Sequence, residues 1–153
     1  MFFLLLVLEQ STAAGQFLLV NGNSNKCVGV AASDASNGAS VYQSTCDGSV
    51  GQQWTWSDGT LRNGNDLCVG VTSGLSSNDA TVVQWACTRS ANQQWTWSAG
   101  VLTNGNSNKC VGIRSASTAD NALLVQWSCT GSANQRWNLQ SPPLMSNWSV
   151  RTG

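Results

Sequence analysis

Histidine is absent from this chain of 153 residues, and only 9% of the side chains are charged. Without histidine, the chain lacks the usual general base near neutral pH and the commonest protein ligand of transition metals. Catalysis by Ser-His-Asp or Cys-His groups is therefore excluded. Seven basic and seven acidic side chains cancel to a net charge of zero, so no strong field attracts nucleic acid phosphates or anionic lipid. We expect no nucleic acid partner.

The sequence also lacks an apolar run long enough to cross a membrane. Its most apolar stretch, residues Phe2 to Leu8, is only seven residues long, whereas a spanning helix needs about 20. Ala13 and Gly15 follow this stretch and precede Gln16 in the pattern of a cleaved signal peptide. Residues 1–15 are therefore predicted to be a signal or, because no basic residue opens them, a retained N-terminal apolar segment. We expect a secreted, extracellular protein.

Glu and Lys, which favour helices, are scarce compared with the residues that favour strands and turns. The polar part of the chain is mostly Ser, Asn, Thr, Gln and Gly, and the apolar part is Val, Leu, Ala and eight Trp. β-Branched and aromatic residues favour strands, and small polar residues favour the turns between them. A length of 153 residues suits one domain. The composition thus favours a single all-β domain.

A threefold internal repeat covers most of the chain. Each copy ends in a Gln-x-Trp motif, at Trp54, Trp95 and Trp137, so the periods are 41 and 42 residues. Each copy contains an Asn-Gly pair, a Cys-Val-Gly strand, a polar loop and a second apolar strand that ends in Cys. Asn-Gly is the strongest short-range signal for a type I′ hairpin turn. The copies are assigned to residues 16–57, 58–98 and 99–140, and residues 141–153 form a C-terminal tail.

Four strands per copy give about twelve strands, and this number limits the choice of fold. A propeller normally needs at least four blades, so three such units do not make one. Three units that close around a pseudo-threefold axis make a β-trefoil. We therefore predict one β-trefoil domain over residues 16–140.

The six cysteines fall into three pairs, each with a separation of 19 positions. Sequence alone permits many connectivities, but only pairing within each copy treats the three copies alike. The alternative, metal binding, lacks both Cys-x-x-Cys spacing and a histidine to complete a zinc site. We predict no metal and no cofactor. The predicted disulfides are Cys27–Cys46, Cys68–Cys87 and Cys110–Cys129.

The repeat resembles that of the ricin B-chain type lectins and of carbohydrate-binding modules of family 13. The matching motifs are Cys-Val-x-Val, then Val-Gln-Trp-Ala-Cys, then Ser-Ala-Asn-Gln-Gln-Trp, and the match covers about four fifths of the chain. The resemblance implies a β-trefoil that binds carbohydrate without catalysis, with galactose- or xylose-containing glycans as partners. It also implies that the Trp of each Gln-x-Trp motif packs in the core.

The same resemblance indicates which side chains contact a sugar. Trp85 and Trp127 stand just before the second Cys of their copies, where the family has the aromatic that stacks on the sugar ring. Ser44 takes that place in the first copy, which is predicted to be silent. The family's pocket amides match the Asn-Gln pairs of the other two copies. The predicted carbohydrate contacts are Trp85, Asn92, Gln93 and Asp79 in the second copy and Trp127, Asn134, Gln135 and Asp120 in the third.

One part of the family pattern is missing from all three copies. Lectins of this type carry Asp two residues after the first Cys, where this chain has Gly29, Gly70 and Gly112. A charged hydrogen-bond partner contributes about 1.5 to 3 kcal/mol, so its loss weakens a site about tenfold to a hundredfold. Asp79 and Asp120 either lean into the pockets and restore an acceptor, or serve only as turn residues at hairpin tips.

Two other functions compete with carbohydrate recognition. A trefoil that has lost its carboxylates can be a structural or protein-contact module in an oligomeric or larger secreted assembly. In that case Trp85 and Trp127 would lie under another chain or against the N-terminal apolar segment. A glycosidase would need two carboxylates about 5 to 10 Å apart, but Asp79 and Asp120 fall in different copies of a threefold fold. We therefore expect no enzyme activity.

Overall fold

The structure is a computed structural model that describes residues 15–31 and 34–142. The predicted N-terminal apolar segment, apart from Gly15, lies outside these residues, as does the tail from Pro143 onward. Within the described residues, no helix has the length and apolar character needed to cross a membrane.

In the part of the chain that the structure describes, twelve short strands form three antiparallel sheets of four strands each. In chain order the strands are β1 (Leu18–Asn21), β2 (Cys27–Gly29), β3 (Tyr42–Ser44), β4 (Trp54–Ser57), β5 (Thr60–Asn63), β6 (Cys68–Val71), β7 (Val82–Trp85), β8 (Trp95–Ser98), β9 (Val101–Asn104), β10 (Cys110–Ile113), β11 (Leu124–Trp127) and β12 (Trp137–Gln140). The sheet orders are β12-β1-β2-β3, β4-β5-β6-β7 and β8-β9-β10-β11. The predicted all-β fold with four strands per copy is confirmed.

Six of the strands close into a barrel, and the other six cap it. In the barrel β1 pairs with β12, β4 with β5, and β8 with β9. Backbone hydrogen bonds of 2.8 to 2.9 Å join these pairs into a ring, from the amides of Trp54, Trp95 and Trp137 to the carbonyls of Phe17, Gly59 and Gly100. The hairpins β2–β3, β6–β7 and β10–β11 bridge one another and form the cap. This arrangement is the predicted β-trefoil.

The Trp residues of the three Gln-x-Trp motifs lie in the core, as predicted. Trp54, Trp95 and Trp137 are between 1% and 3% exposed. Their indole nitrogens donate to backbone carbonyls of the same copy at 2.9 to 3.1 Å, and the acceptors are Val28, Val69 and Val111. Because a buried indole N–H needs a partner, each bond ties a barrel strand to the first strand of a cap hairpin.

The three disulfides join the predicted cysteines. Cys27–Cys46, Cys68–Cys87 and Cys110–Cys129 each connect the first strand of a cap hairpin to the segment just after the second strand, with Cα separations of 4.9 to 5.0 Å. In the second and third copies the first Cys pairs in register with the Trp that stands two residues before the second Cys. Each of these bridges therefore fixes the end of the strand that carries Trp85 or Trp127.

The Asn-Gly pairs lie between paired strands, but they do not form the predicted type I′ turns. The residue with positive φ comes later in each loop, at Asn25, Asp66 or Asn108. Asn21 instead accepts hydrogen bonds from the amides of Asn23 and Ser24 through its side-chain oxygen, as in an Asx turn. Glycine is favoured in these pairs because another backbone segment passes close to it. In the third copy, a Cβ on Gly105 would lie 3.1 Å from the Gln94 carbonyl oxygen.

Type I′ geometry occurs instead in the hairpins between copies. Asp58 and Gly59 both have positive φ, at 50° and 79°, as do Ala99 and Gly100, at 50° and 85°. Two left-handed residues in a two-residue loop match the right-handed twist of the flanking strands. These turns join β4 to β5 and β8 to β9.

Candidate functional sites

Trp85 and Trp127 are exposed on the surface of the cap, at 46% and 44%. Each follows a glutamine, Gln84 or Gln126, that is fully buried. Because successive side chains of a strand point to opposite faces, burial of the glutamine turns the Trp outward. The first copy has the same alternation, with Gln43 buried before the half-buried Ser44.

The buried glutamines also hold the loops that surround the sites. The side-chain nitrogen of Gln126 donates to the carbonyls of Leu75 and Ser77 at 3.0 and 2.8 Å, and that of Gln84 donates in the same way to Asp34 and Ser36. In each case the loop belongs to the preceding copy. The loop that contains Leu75 and Ser77 also brings Asp79 of the second copy into the wall of the third-repeat site.

Each exposed Trp borders a concave depression. The second-repeat site, beside Trp85, has a volume of about 430 Å³, and the third-repeat site, beside Trp127, has about 370 Å³. The polar side chains around the second-repeat site are Thr72, Ser73, Thr88, Ser90, Asn92 and Gln93. Those around the third-repeat site are Asp79, Arg114, Ser115, Thr130, Ser132, Asn134 and Gln135.

Asn92 and Asn134 lie in these depressions with their amides fixed by the protein. The Asn92 nitrogen donates to the Val71 carbonyl at 2.9 Å, and its oxygen accepts from the Ser90 hydroxyl at 2.7 Å. Asn134 has the equivalent bonds, to Ile113 at 3.1 Å and from Ser132 at 2.7 Å. Both asparagines remain half-buried, so each presents a pre-oriented amide edge to the depression.

Gln93 and Gln135 line the same depressions but are 3% exposed. The side-chain oxygen of Gln93 accepts from the Thr88 amide at 2.8 Å, and its nitrogen donates to the Ala86 carbonyl at 3.0 Å. Gln135 makes the matching pair of bonds with Thr130 and Ser128. In the structure these glutamines shape the segment that follows each exposed Trp.

Asp79 lies in the third-repeat site rather than beside Trp85. Its carboxylate oxygen Oδ1 accepts from Arg114 Nε at 2.8 Å, and its backbone carbonyl accepts from Arg114 Nη2 at 3.2 Å. The Asp79 amide donates to Gln126, just as the Gly38 amide donates to Gln84. Gly38 is thus the equivalent residue near the second-repeat site, and it has no carboxylate to offer.

Asp120 lies outside both depressions, one position before the equivalent of Asp79. Its carboxylate accepts from the Thr45 amide at 3.0 Å and pairs with Lys26 Nζ at 3.2 Å. The hydrogen bond and charge of Lys26, followed by the bonds from Thr45, lower the pKa of this carboxyl from its ordinary value. Asn37 and Asn78 hold the amides of Ala86 and Ser128 in the same way. Asp120 therefore caps the strand end in the first copy.

The three glycines in place of the family aspartate have no room for a side chain. A Cβ on Gly70 or Gly112 would lie 2.8 Å from the carbonyl oxygen of Asn92 or Asn134, and one on Gly29 would lie 2.5 Å from that of Gly51. The 3-10 turns Ala91–Gln93 and Ala133–Gln135 pass directly over these positions. The glycines therefore allow the turn and the strand to pack together.

The sequence reasoning missed Arg114, the cation that holds Asp79. It also missed Ser90 and Ser132, whose hydroxyls orient the asparagines. The serines recur at equivalent places of the second and third copies, and this repetition could have identified them. Arg114 had no such signal, because its equivalent in the second copy is Thr72.

Together, each depression offers an aromatic face beside fixed hydrogen-bonding groups. A flat indole suits the apolar C–H face of a sugar ring, and amides, hydroxyls and carboxylates suit the surrounding hydroxyl groups. Within the described residues, no group of three or more Cys, Asp or Glu side chains could hold a metal ion. The geometry is that of a shallow binding surface.

Comparison with known proteins agrees with this architecture. Residues 15–137 match the model of the ricin-type beta-trefoil lectin domain family. Because the match covers most of the chain, the protein belongs to that family, and membership supports a carbohydrate-binding role. No curated protein matches the chain.

Several solved structures share the fold. The designed threefold-symmetric protein ThreeFoil is similar at 31% identity and a TM-score of 0.77, over 83% of this chain and 99% of that one. An exo-beta-1,3-galactanase from Clostridium thermocellum is similar at 26% identity and a TM-score of 0.73, over 84% of this chain but 30% of the longer enzyme. The C-half of an earthworm R-type lectin, solved in complex with GalNAc, shares the fold at 14% identity and a TM-score of 0.72, over 83% of this chain and 98% of that one.

Proposed function

We propose that this protein is a non-catalytic carbohydrate-binding module with two sites, one in the second repeat and one in the third. The observation that carries the proposal is the exposure of Trp85 and Trp127 beside concave polar depressions, while the Trp residues of the three Gln-x-Trp motifs are buried. An exposed large aromatic in the same place of two repeats needs a partner to cover it, and a sugar ring fits the polar groups around it.

In the third-repeat site, one face of the sugar stacks on Trp127. Asp79 keeps its second carboxylate oxygen, Oδ2, for sugar hydroxyls, because Oδ1 is the atom that accepts from Arg114. Arg114 donates to Asp79 through Nε and Nη2, and its remaining N–H groups donate to sugar hydroxyls. The Asn134 edge supplies the third contact. Asp79 and Arg114 thus give this site a charged acceptor and a charged donor.

In the second-repeat site, the sugar stacks on Trp85 and meets only neutral groups. Asn92, Ser90 and Thr72 provide its polar contacts. Gln93 and Gln135 act by holding the depressions in shape. Asp120 is a capping residue outside both sites. The first copy takes no part in binding. Its Ser44 has no aromatic ring, and the Ser44 hydroxyl accepts from the Gln52 side-chain nitrogen at 2.9 Å.

We further propose galactose-containing glycans as the first ligands and xylose-containing glycans as the second. The similarity to the galactanase, whose name records a galactan substrate, favours galactose. Two weak sites on one rigid domain gain strength when one polysaccharide engages both. We propose that the protein is secreted, since three disulfides are stable in an oxidising compartment.

The test is a glycan titration of the intact protein and of Trp85→Ala, Trp127→Ala and the double variant. Covering about 80 Å² of an indole at about 25 cal/mol per Å² contributes about 2 kcal/mol, so each single change should weaken its own site about 30-fold. The double variant should lose binding. Trp56→Ala is the matched control, because Trp56 is also exposed, at 40%, but lies in neither depression.

Two results would reject the proposal. The first is a broad glycan array that gives no response with the intact protein. The second is an equal loss of binding from Trp56→Ala. If the spectroscopic signals of Trp85 and Trp127 instead change with protein concentration in the absence of a glycan, these residues form a protein contact. That outcome would support the competing structural role.

A further inference from the structure

The end of the barrel opposite the cap opens into an apolar hollow of about 190 Å³, which we call the barrel mouth. Leu19, Leu61 and Leu102 form its floor, and Phe17, Trp56, Trp97 and Leu139 form its rim. None of these seven side chains carries a charge. A fully apolar cavity of about 150 Å³ holds a benzene ring, so the barrel mouth has room for a large side chain.

The rim is exposed and uneven. Trp56 is 40% exposed and Leu139 is 47% exposed. Trp56, Trp97 and Leu139 hold equivalent places, two residues after the buried Trp of each copy. The third place therefore has a leucine where the other two have an indole. A contiguous exposed apolar surface of this kind marks a docking site.

Both ends of the described chain leave the fold at this rim. Two of the three hairpins at the barrel mouth are closed, by Asp58-Gly59 and Ala99-Gly100. At the third place β12 pairs with β1, with Gln140 opposite Leu18, but no turn joins them. Phe17 before β1 and Leu139 in β12 are themselves part of the rim. Any segment that continues from either end starts at the edge of the hollow.

The two terminal segments outside the described residues differ in how well they suit the barrel mouth as occupants. Residues 1–14 contain the strongest apolar run, but we propose that they are removed as a signal. Residues 143–153 remain and contain Leu144, Met145 and Trp148 among small polar residues. Six extended residues beyond Pro142 span up to about 20 Å, which lets Trp148 fold back over a hollow that begins three residues before Pro142.

We infer that residues 143–153 dock on the barrel mouth and that Trp148 fills the place beside Leu139. This segment completes the ring of indoles that Trp56 and Trp97 begin. It closes the apolar surface within one chain. The inference is independent of sugar binding, because the barrel mouth and the two depressions share no residue.

The test uses the full chain labelled with 5-fluorotryptophan, whose resonances are assigned through single Trp→Phe variants. Three changed chains are compared with it: residues 1–142, residues 16–153, and Trp148→Ala in the full chain. Loss of residues 143–153 and Trp148→Ala should both shift the resonances of Trp56 and Trp97 and increase their quenching by a soluble paramagnetic agent. Trp85 and Trp127 are internal controls and should not move.

The outcomes separate the possible occupants. Removal of residues 1–15 should leave Trp56 and Trp97 unchanged; a shift there would instead assign the barrel mouth to the N-terminal segment and overturn the inference. A shift that appears on dilution of the full chain would assign it to a second copy, with the same consequence. Unchanged Trp56 and Trp97 resonances in both the 1–142 chain and Trp148→Ala would also overturn it. A glycan that moves only Trp85 and Trp127 tests the proposed function separately.

Discussion

The second-repeat and third-repeat sites share one frame and differ in charge. In both, an exposed Trp stands beside an asparagine that donates to the carbonyl of a cap strand and accepts from a serine, at nearly the same distances. Their charge differs because of two positions, where Gly38 and Thr72 of one correspond to Asp79 and Arg114 of the other. The repeat therefore fixes the platform, and single loop residues set the electrostatics.

The charged residues of the third-repeat site come from two different copies. Asp79 lies on the loop of the second copy, and Arg114 follows β10 of the third. Their ion pair is half exposed, with the Asp79 side chain at 50%, so it adds little to stability on its own. It holds a carboxylate in a depression that lacks the family aspartate, and we propose that this carboxylate contacts the sugar.

The largest effect on this comparison should come from Asp79→Gly, which makes the third-repeat site resemble the second. Gly38 already has glycine at this place, and the φ of 72° at Asp79 suits glycine without strain. Loss of a charged acceptor should weaken glycan binding to this site about tenfold to a hundredfold. Isothermal titration with a galactose-containing glycan measures the change. An unchanged affinity would remove Asp79 from the site.

Restoring the family aspartate directly should damage the fold and not create a better site. In Gly112→Asp the Cβ would lie 2.8 Å from the Asn134 carbonyl oxygen, and overpacking of this kind costs about 1 to 3 kcal/mol. Urea denaturation should show a lower midpoint than that of the intact protein. Gly131→Ala has no such close backbone neighbour but a positive φ of 74°, so it measures the cost of backbone strain without the clash. A stable Gly112→Asp protein with tighter glycan binding would contradict our explanation of the glycines.

The reciprocal change, Gly38→Asp with Thr72→Arg, should give the second-repeat site a charged pair. A Cβ on Gly38 would lie 3.6 Å from the Trp85 ring, an ordinary contact. The φ of 91° makes an L residue strained there, at a stability cost of about 1 kcal/mol. We expect a gain of a few-fold in affinity at this site, measured in a Trp127→Ala background that silences the other. Thr72→Arg alone is the control and should give no gain.

The smallest effect should come from Asp120→Asn, which tests whether an ion pair outside the depressions matters to binding. Asparagine occupies the equivalent positions 37 and 78, where it accepts from the amides of Ala86 and Ser128, so the variant should keep the bond from the Thr45 amide. Lys26 and Thr45 lower the Asp120 pKa in the folded state, so the carboxylate stabilises the fold above its unfolded pKa of about 3.9. This contribution is lost as the pH falls through the folded pKa.

Thermal unfolding of the Asp120→Asn and intact proteins should therefore differ slightly at pH 7 and converge below about pH 4. Glycan affinity should be the same in both. A difference that grows on acidification would have the wrong sign for a lowered pKa. A loss of glycan binding would return Asp120 to the site.

Sequence patterns predicted the fold well because each relevant signal recurred three times. The Gln-x-Trp spacing, the equal separation within the cysteine pairs and the apolar strands gave the trefoil, the core position of Trp54, Trp95 and Trp137, and the disulfides. The predicted turn type at the Asn-Gly pairs was wrong. The glycine in each pair lies against another backbone segment, which at Gly105 is that of Gln94. That contact joins residues whose proximity is visible only after folding.

The third-repeat site was less predictable because it combines groups from two copies. Sequence spacing grouped Asp79 with Trp85 and treated Asp120 as its counterpart, whereas the loops place Asp79 beside Trp127 and Asp120 beside Thr45. The loop before Asp79 belongs to the second copy but is held by the buried Gln126 of the third. Asp79 therefore lies in the third-repeat site and not in the second-repeat site that chain order suggests. Trp85 and Trp127 themselves were identifiable from the sequence, because Ser44 takes their place in the first copy and so breaks the repeated pattern.

The sequence by itself determined the threefold β-trefoil, its three disulfides and its buried tryptophans, because local alternation and exact repetition act along the chain. The tertiary structure decided which groups share a depression, why glycine replaces aspartate after each first cysteine, and that an apolar barrel mouth lies where β1 and β12 meet. Those features depend on contacts between copies and on the few ångströms that separate a side chain from a crossing backbone.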